Sequence, residues 1–398
     1  MAANVLPEKV SENSIRVLNT LFDKNLKTYF SFEVGFCNAH QPYSFRKAYI
    51  ECPQFLSHKR DNVPAVQLHK LLASAFKILR PCEKNGIKVV RLPGTTNELF
   101  RNQQDAVKFL ILFIENYKDH EEAFHMAMRE EKEPERVECA VLGAHIFSSL
   151  ALGGIVKMKN TTGQAEECPC SCGMILSAGN TGIGHKKVWH GFPDLLVNHT
   201  AVTVTRRTID VDESREEYRP STSKRIRLEK MESVESEYEA CNKQNTLYGI
   251  DFSAQLISQA ITHGFAQRKK YNFVNCLVPT IGFTLNRLLI YLYDPDRDIL
   301  LRRKDRLELM DQNDCLILPA VVELWFILNL HLFGATMSEQ ICSKLCKSGL
   351  KSHLEEFGGL DIYQQSLLVG AGKNELSQGI QLDANILASK HAFCFVDQ

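Results

Sequence analysis

Trp189-His190-Gly191-Phe192-Pro193-Asp194-Leu195-Leu196-Val197 sets one carboxylate between a Gly/Pro turn and an apolar run long enough for a buried strand. A buried strand end is a costly place for an unpaired charge, which must find a cation or shift its pKa. Two explanations fit the pattern. Asp194 either caps the turn, as aspartates often do, or is a ligand for a hard divalent metal. Downstream, Ala201 to Thr205 reads as a second strand joined through Asn198-His199-Thr200, so the segment predicts a hairpin.

Upstream, Val137 to Leu152 is a largely apolar helix, with Glu138 entering its first turn. Between that helix and the hairpin, Gly179-Asn180-Thr181-Gly182-Ile183-Gly184-His185 lacks the Lys-Ser/Thr ending and following helix of a phosphate loop, and reads as a turn. Downstream, Phe252 to Phe265 is a second core helix bearing Gln255 and Gln259 one turn apart. Phe273–Phe283, Leu288–Tyr293 and Ile299–Arg302 read as successive strands, with Asp294-Pro295-Asp296-Arg297 as the last turn. Pro319 to Phe333 is a long apolar helix whose proline falls in the first turn.

Residues 206–240 break the composition. Eighteen of these 35 residues are charged, ten acidic and eight basic, leaving few apolar side chains to bury; an exposed or disordered insertion is expected. Its cluster Lys224-Arg225-Ile226-Arg227 reads as solvated linker rather than a nuclear-import or phosphate-binding patch. Ahead of the core, 7–30 and Ala65–Leu79 show helical spacing, Ile87–Leu92 a short strand, and Asn102–Tyr117 a strong amphipathic helix. The expected organisation is a mostly helical region over 1–130, an α/β core over 137–335 interrupted by a charged insertion at 206–247, and an extension over 336–398.

The chain has 398 residues, 44% of them hydrophobic, and balances 47 Lys and Arg against 47 Asp and Glu. That length supports one large elaborated domain or two. With no basic excess, any nucleic-acid site must be a local groove. The first residues show no signal-peptide pattern, and the greasiest run, Pro319 to Gly334, carries Glu323 and His331 and is too short to span a bilayer. The expectation is a soluble intracellular protein of nucleus or cytoplasm with no membrane partner. Its 13 cysteines read mainly as reduced, buried thiols. Cys168, Cys170 and Cys172, spaced C-P-C-S-C, are the exception. A metal cluster there would need another ligand, such as Cys139 or Cys241, because zinc and iron–sulfur sites favour paired C-x-x-C spacings.

Taken in order, the acid-bearing helix, the Asp194 strand, a further strand and the Gln255–Gln259 helix resemble the core of the PD-(D/E)XK nuclease-like superfamily over roughly residues 137–305. The resemblance implies a mixed central sheet flanked by helices (α+β or α/β, restriction-endonuclease-like). It also implies hydrolysis of phosphodiester bonds in DNA or RNA with Mg²⁺ or Mn²⁺. Glu138, Asp194 and a glutamate on the next strand would hold the metal, and Gln255 would contact phosphate or order water. The family's Glu-x-Lys is missing. If Ala201–Thr205 is the second metal strand, Thr203 and Thr205 fill its positions and the site is dead. If that motif lies beyond, Val234-Glu235-Ser236-Glu237 offers Glu235 as ligand and Glu237 in place of the lysine, whose role would pass to Lys230 or Lys243. His190 either approaches the site or is structural. Three functions follow: a nuclease-like enzyme, a catalytically degenerate nuclease fold that binds nucleic acid or protein, or a helical interaction protein. The last would be favoured if 194–205 and 273–302 shared no sheet.

Overall fold

The computed structural model describes residues 10–23, 27–52, 63–129, 134–159, 166–205, 248–272, 274–284, 286–334 and 336–370. The expected insertion, with Glu235, Glu237, Lys230, Lys243, Cys241 and the 224–227 cluster, lies outside them.

Strand β1 (Thr28–Ser31) follows helix α1 (Glu12–Asn19), which is capped by the Ser11 side chain accepting from the Ser14 N–H. Strand β2 (Ala65–Gln67) comes next, then a hairpin of β3 (Leu79–Cys82) and β4 (Gly86–Val89). Helix α2 (Asn97–Glu115) starts at Thr96, whose side chain accepts from the Leu99 N–H, and buries Ala106, Val107, Leu110, Ile111 and Ile114 along one face. Helix α3 (Tyr117–Met128) buries Ala123, Phe124 and Ala127. Helix α4 (Pro134–Val141) runs on through a π-helical stretch, Leu142–Phe147, into a closing turn, Ser148–Leu150.

The central strands then follow: β5 (Val156–Lys159), β6 (Glu166–Glu167), β7 (Ile175–Gly179), β8 (Ile183–Gly184), β9 (His190–Gly191), β10 (Leu195–Val197) and β11 (Thr200–Thr205). Helix α5 (Tyr248–Tyr271) leads to β12 (Val278–Thr284), β13 (Arg287–Asp294), β14 (Ile299–Arg303) and β15 (Leu307–Glu308). Helix α6 (Leu318–Leu328) is buried on all sides and passes through a 3₁₀ turn to Gly334 in the left-handed conformation. Helices α7 (Leu350–Phe357) and α8 (Leu360–Gln365) and strand β16 (Leu368–Val369) close the described chain.

An eleven-stranded mixed sheet runs β2-β1-β14-β13-β12-β11-β10-β5-β7-β6, with β15 beside β13. The predicted hairpin is present: β10 and β11 are antiparallel, pairing Leu195 with Val202. β11 then runs parallel to β12, so 194–205 and the later strands share one sheet. Period-2 alternation divides the core between its faces. Leu288, Ile290 and Leu292 of β13 pack with α1, α2 and α6, whereas Leu289, Tyr291 and Tyr293 face α5, α7 and α8. Contact with α5 is close, because a Cβ on Gly282 would meet Leu256 Cδ1 at 2.3 Å and one on Gly264 would meet Tyr293 Cδ1 at 2.6 Å.

Two helical readings in the N-terminal region are corrected. Ala65–Leu79 is not one helix: Val66 pairs with Tyr29 at the sheet edge, and only single helical turns, Leu68–Leu71 and Ala75–Ile78, follow. The helical reading of 7–30 ends at Asn19, because Tyr29 pairs with Arg303 of β14. Tertiary pairing overrides local spacing at both places.

Candidate active site

Asp194 stands immediately before β10, and the strand network fixes both ends of its backbone. Its N–H donates to Val202 O at 2.9 Å, and its carbonyl accepts from the Lys159 N–H at 2.8 Å. Its carboxylate Oδ2 accepts from the Val204 N–H at 2.9 Å. Alternation puts Asp194 on the α5 face of the sheet with Leu196, Thr203 and Thr205, at the mouth of a cleft of about 320 Å³. Burial pushes the Asp194 carboxyl above the ordinary carboxylate range. The Val204 N–H, Lys159 and Arg46 pull it down, and Glu135 pushes it further up.

Four elements bring the other polar groups to the cleft. Glu135, in the first turn of α4, lines it. Lys159, the last residue of β5, also lines it, its ammonium 5.9 Å from the centroid of the Phe192 ring. Arg46 comes from a 3₁₀ turn, Phe45–Lys47, that packs on Gly191, where a Cβ would lie 2.7 Å from the Phe45 ring. From α5 come Gln255 and Gln259. The Thr203 hydroxyl donates to Gln259 Oε1 at 2.9 Å, and the buried Gln259 Nε2 has no hydrogen-bond partner among the described residues.

Of the residues singled out from sequence, Asp194 and Gln255 meet in this cleft; Glu235 and Glu237 lie outside the described residues. Glu138 is buried and is not among the residues lining the cleft. The helix begins at Pro134, so its first turn, with Glu135, reaches the sheet end, and Glu138 lies one turn further in. Thr203 and Thr205 occupy the strand beside the Asp194 strand. His190 is structural: its Nδ1 lies 2.8 Å from Val188 O, and its N–H donates to Tyr43 O.

Sequence reading missed Glu135, Lys159 and Arg46. Lys159 ends a four-residue strand with the pattern Val-Lys-Met-Lys, a half-buried alternation that marks it as facing the opposite side from Val156 and Met158. Arg46 carries no such signal. No protein-family model, curated protein or solved structure matches the chain. Among the described residues, no helix is long and apolar enough to cross a membrane.

Proposed function

We propose that this chain is a nuclease-like protein that engages the phosphodiester backbone of DNA or RNA in the Asp194 cleft and hydrolyses it with Mg²⁺ or Mn²⁺. The observation that supports this is the convergence of Asp194, Glu135 and Lys159 on one cleft. The restriction-endonuclease-like core belongs to the same reading. A helix bearing an acid, a strand preceded by Asp, the next strand and a helix bearing Gln follow one another around one sheet, in the order the resemblance anticipates.

The donor set suits a hard cation. Glu135 adds to the cost of ionising Asp194, and a dication held between the two carboxylates would relieve that repulsion. Such an ion, when bound, lowers the pKa of a coordinated water and stabilises charge developing on the phosphate. The chain's own groups do the rest. Lys159 and Arg46 neutralise the backbone phosphate, and Lys159 supplies the ammonium that Thr205 cannot. The unpaired amide N–H of Gln259 offers a donor to a phosphate oxygen or to an ordered water.

Thr203 and Thr205 favour a second reading, a degenerate nuclease fold that binds nucleic acid without cutting it. The two readings separate in one experiment on plasmid and single-stranded substrates with Mg²⁺ or Mn²⁺. The enzyme reading expects metal-dependent cleavage that falls roughly 100-fold or more in Asp194→Ala, since a catalytic metal is worth several kcal/mol. Absence of cleavage, with oligonucleotide binding weakened by Lys159→Ala, would instead support the binding module. Absence of both would remove the proposal.

A further inference from the structure

A second polar centre lies on the opposite face of the sheet, away from the Asp194 cleft. Ligand atoms of His145, Cys168, Cys170 and Cys172 all lie within 4.8 Å of one another. His145 Nε2 is 3.0 Å from Cys170 Sγ, and Cys168 Sγ is 3.3 Å from Cys170 Sγ. With zinc–sulfur bonds of about 2.3 Å and zinc–nitrogen bonds of about 2.0 Å, a tetrahedral site has ligand–ligand edges of roughly 3.5–3.8 Å. The four groups are therefore gathered close to the spacing that a single central ion imposes.

Their supports come from two elements far apart in sequence. The cysteines occupy the loop between β6 and β7, folded into a knuckle by the Cys168 N–H donating to Met174 O and the Ser171 N–H donating to Cys168 O. Ser171 and Gly173 take positive φ, 62° and 79°, to make that turn. His145 projects from the π-helical stretch after α4, the kind of local widening that recurs at functional sites. Its Nδ1 lies 3.3 Å from His120 Nδ1, and the His120 ring stacks on Phe113 at 4.3 Å. A second nitrogen held this way fixes the ring orientation and tautomer that leave Nε2 as the ligand atom.

We propose that His145 Nε2 and the Sγ atoms of Cys168, Cys170 and Cys172 form a closed tetrahedral site for one structural Zn²⁺. Four protein ligands leave no open position, so the ion is a staple and not a catalyst. The three thiols bind as thiolates, give their protons to solvent, and with neutral His145 leave a site of net charge −1. The staple ties the β6–β7 edge of the sheet to the helix that presents Glu135. His120 is a positioning residue. The fourth ligand is thus a histidine and not Cys139, which is buried in the core outside the cluster; Cys241 lies outside the described residues.

The inference stands independently of the Asp194 reading, and the experiment separates them. The full chain, purified under reducing conditions, is expected to hold one zinc per molecule by mass spectrometry of its metals. Replacement by Co²⁺ should give the intense d–d bands of tetrahedral thiolate coordination. Cys170→Ser and His145→Ala should lose the zinc, Asp194→Ala should keep it, and His120→Ala should weaken it about 10- to 100-fold in competition with a chelator. If the cysteine variant does not fold, the cobalt spectrum of the unaltered chain still decides. A folded, reduced chain that takes up neither metal would overturn the assignment. So would an iron–sulfur chromophore, or zinc lost from Asp194→Ala.

Discussion

Asp194 is anchored by the backbone of its own hairpin, with the Val204 N–H on one carboxylate oxygen, and its charge is resisted by burial. A carboxyl whose folded pKa is raised weakens the native state at neutral pH and ceases to do so once protonated. Asp194→Asn keeps an acceptor for Val204 and removes the charge. The metal-free variant is therefore expected to melt above the unaltered chain near pH 7 and, on the proposed metal role, to lose the rise in Tm that Mg²⁺ would give the unaltered chain. At a hundredfold excess over Kd that rise corresponds to about 2.7 kcal/mol. A variant that melts lower, or keeps the metal-induced shift, would contradict this. Arg303 is the contrasting case, with its charge fully answered. Its guanidinium grips Glu323 through two bonds, 2.9 and 3.1 Å, and Glu323 is only 2% exposed. Arg303→Met leaves that carboxylate only the long Tyr29 hydroxyl bond, 3.4 Å, and the charge of nearby Lys27, and is expected to cost about 3 kcal/mol in denaturant unfolding, most of it recovered in the double variant with Glu323→Leu. Asp194 was legible in the sequence because a turn and an apolar run bracket it. Glu135, Lys159 and Arg46 were not, since each reaches the cleft only through the pairing or packing of another element.

Helix α5 carries Gln255 and Gln259 to the cleft, and its height above the sheet is set by the absence of two side chains. Gly264 faces the Tyr293 ring, and Tyr293 cannot swing away because its hydroxyl donates to Asp298 Oδ1 at 2.9 Å. Helix propensity favours Ala over Gly by up to ~1 kcal/mol, yet Gly264→Ala is expected to destabilise by about 1–3 kcal/mol through overpacking. Gly282→Ala meets the flexible tip of Leu256 and should cost less. Equal or opposite effects in thermal unfolding would show that α5 is not seated by this contact. Long periodic elements such as α2, α5 and the hairpin strands could be read from sequence. Ala65–Leu79 could not, because its helical spacing is local and Val66 is claimed by Tyr29, which sequence does not place. The Cys168–Cys172 knuckle was visible, whereas its histidine, 23 residues upstream of Cys168 on an apolar helix, looked like core.

Across the whole molecule, acid should act through a buried imidazole group beneath the hairpin turn. His199 and His263 are both lowered to about 4, chiefly by burial, and His331, packed against His199 at 4.4 Å, is lowered well below its ordinary value. Unfolded histidines titrate near 6.5, so between about pH 6.5 and 4 the unfolded chain binds protons that the native one refuses, and stability falls with pH. For fully buried His263 the loss is on the order of 3 kcal/mol. Melting temperatures should drop through that window, and His263→Gln should flatten the drop; an unchanged profile in the variant would exclude the cluster as its source. The mixed, helix-flanked architecture could be foreseen from the order of its elements, but the sheet's full width could not. The last two strands at one edge come from residues 28–31 and 65–67, which join the sheet by way of 299–303. That arrangement has a cost in time. On the ribosome, the pair formed by 28–31 and 65–67 must wait for 299–303 to be synthesised before it can join the rest of the sheet. Such sequence-distant closure slows folding and lengthens the time for which a nascent chain is exposed to aggregation.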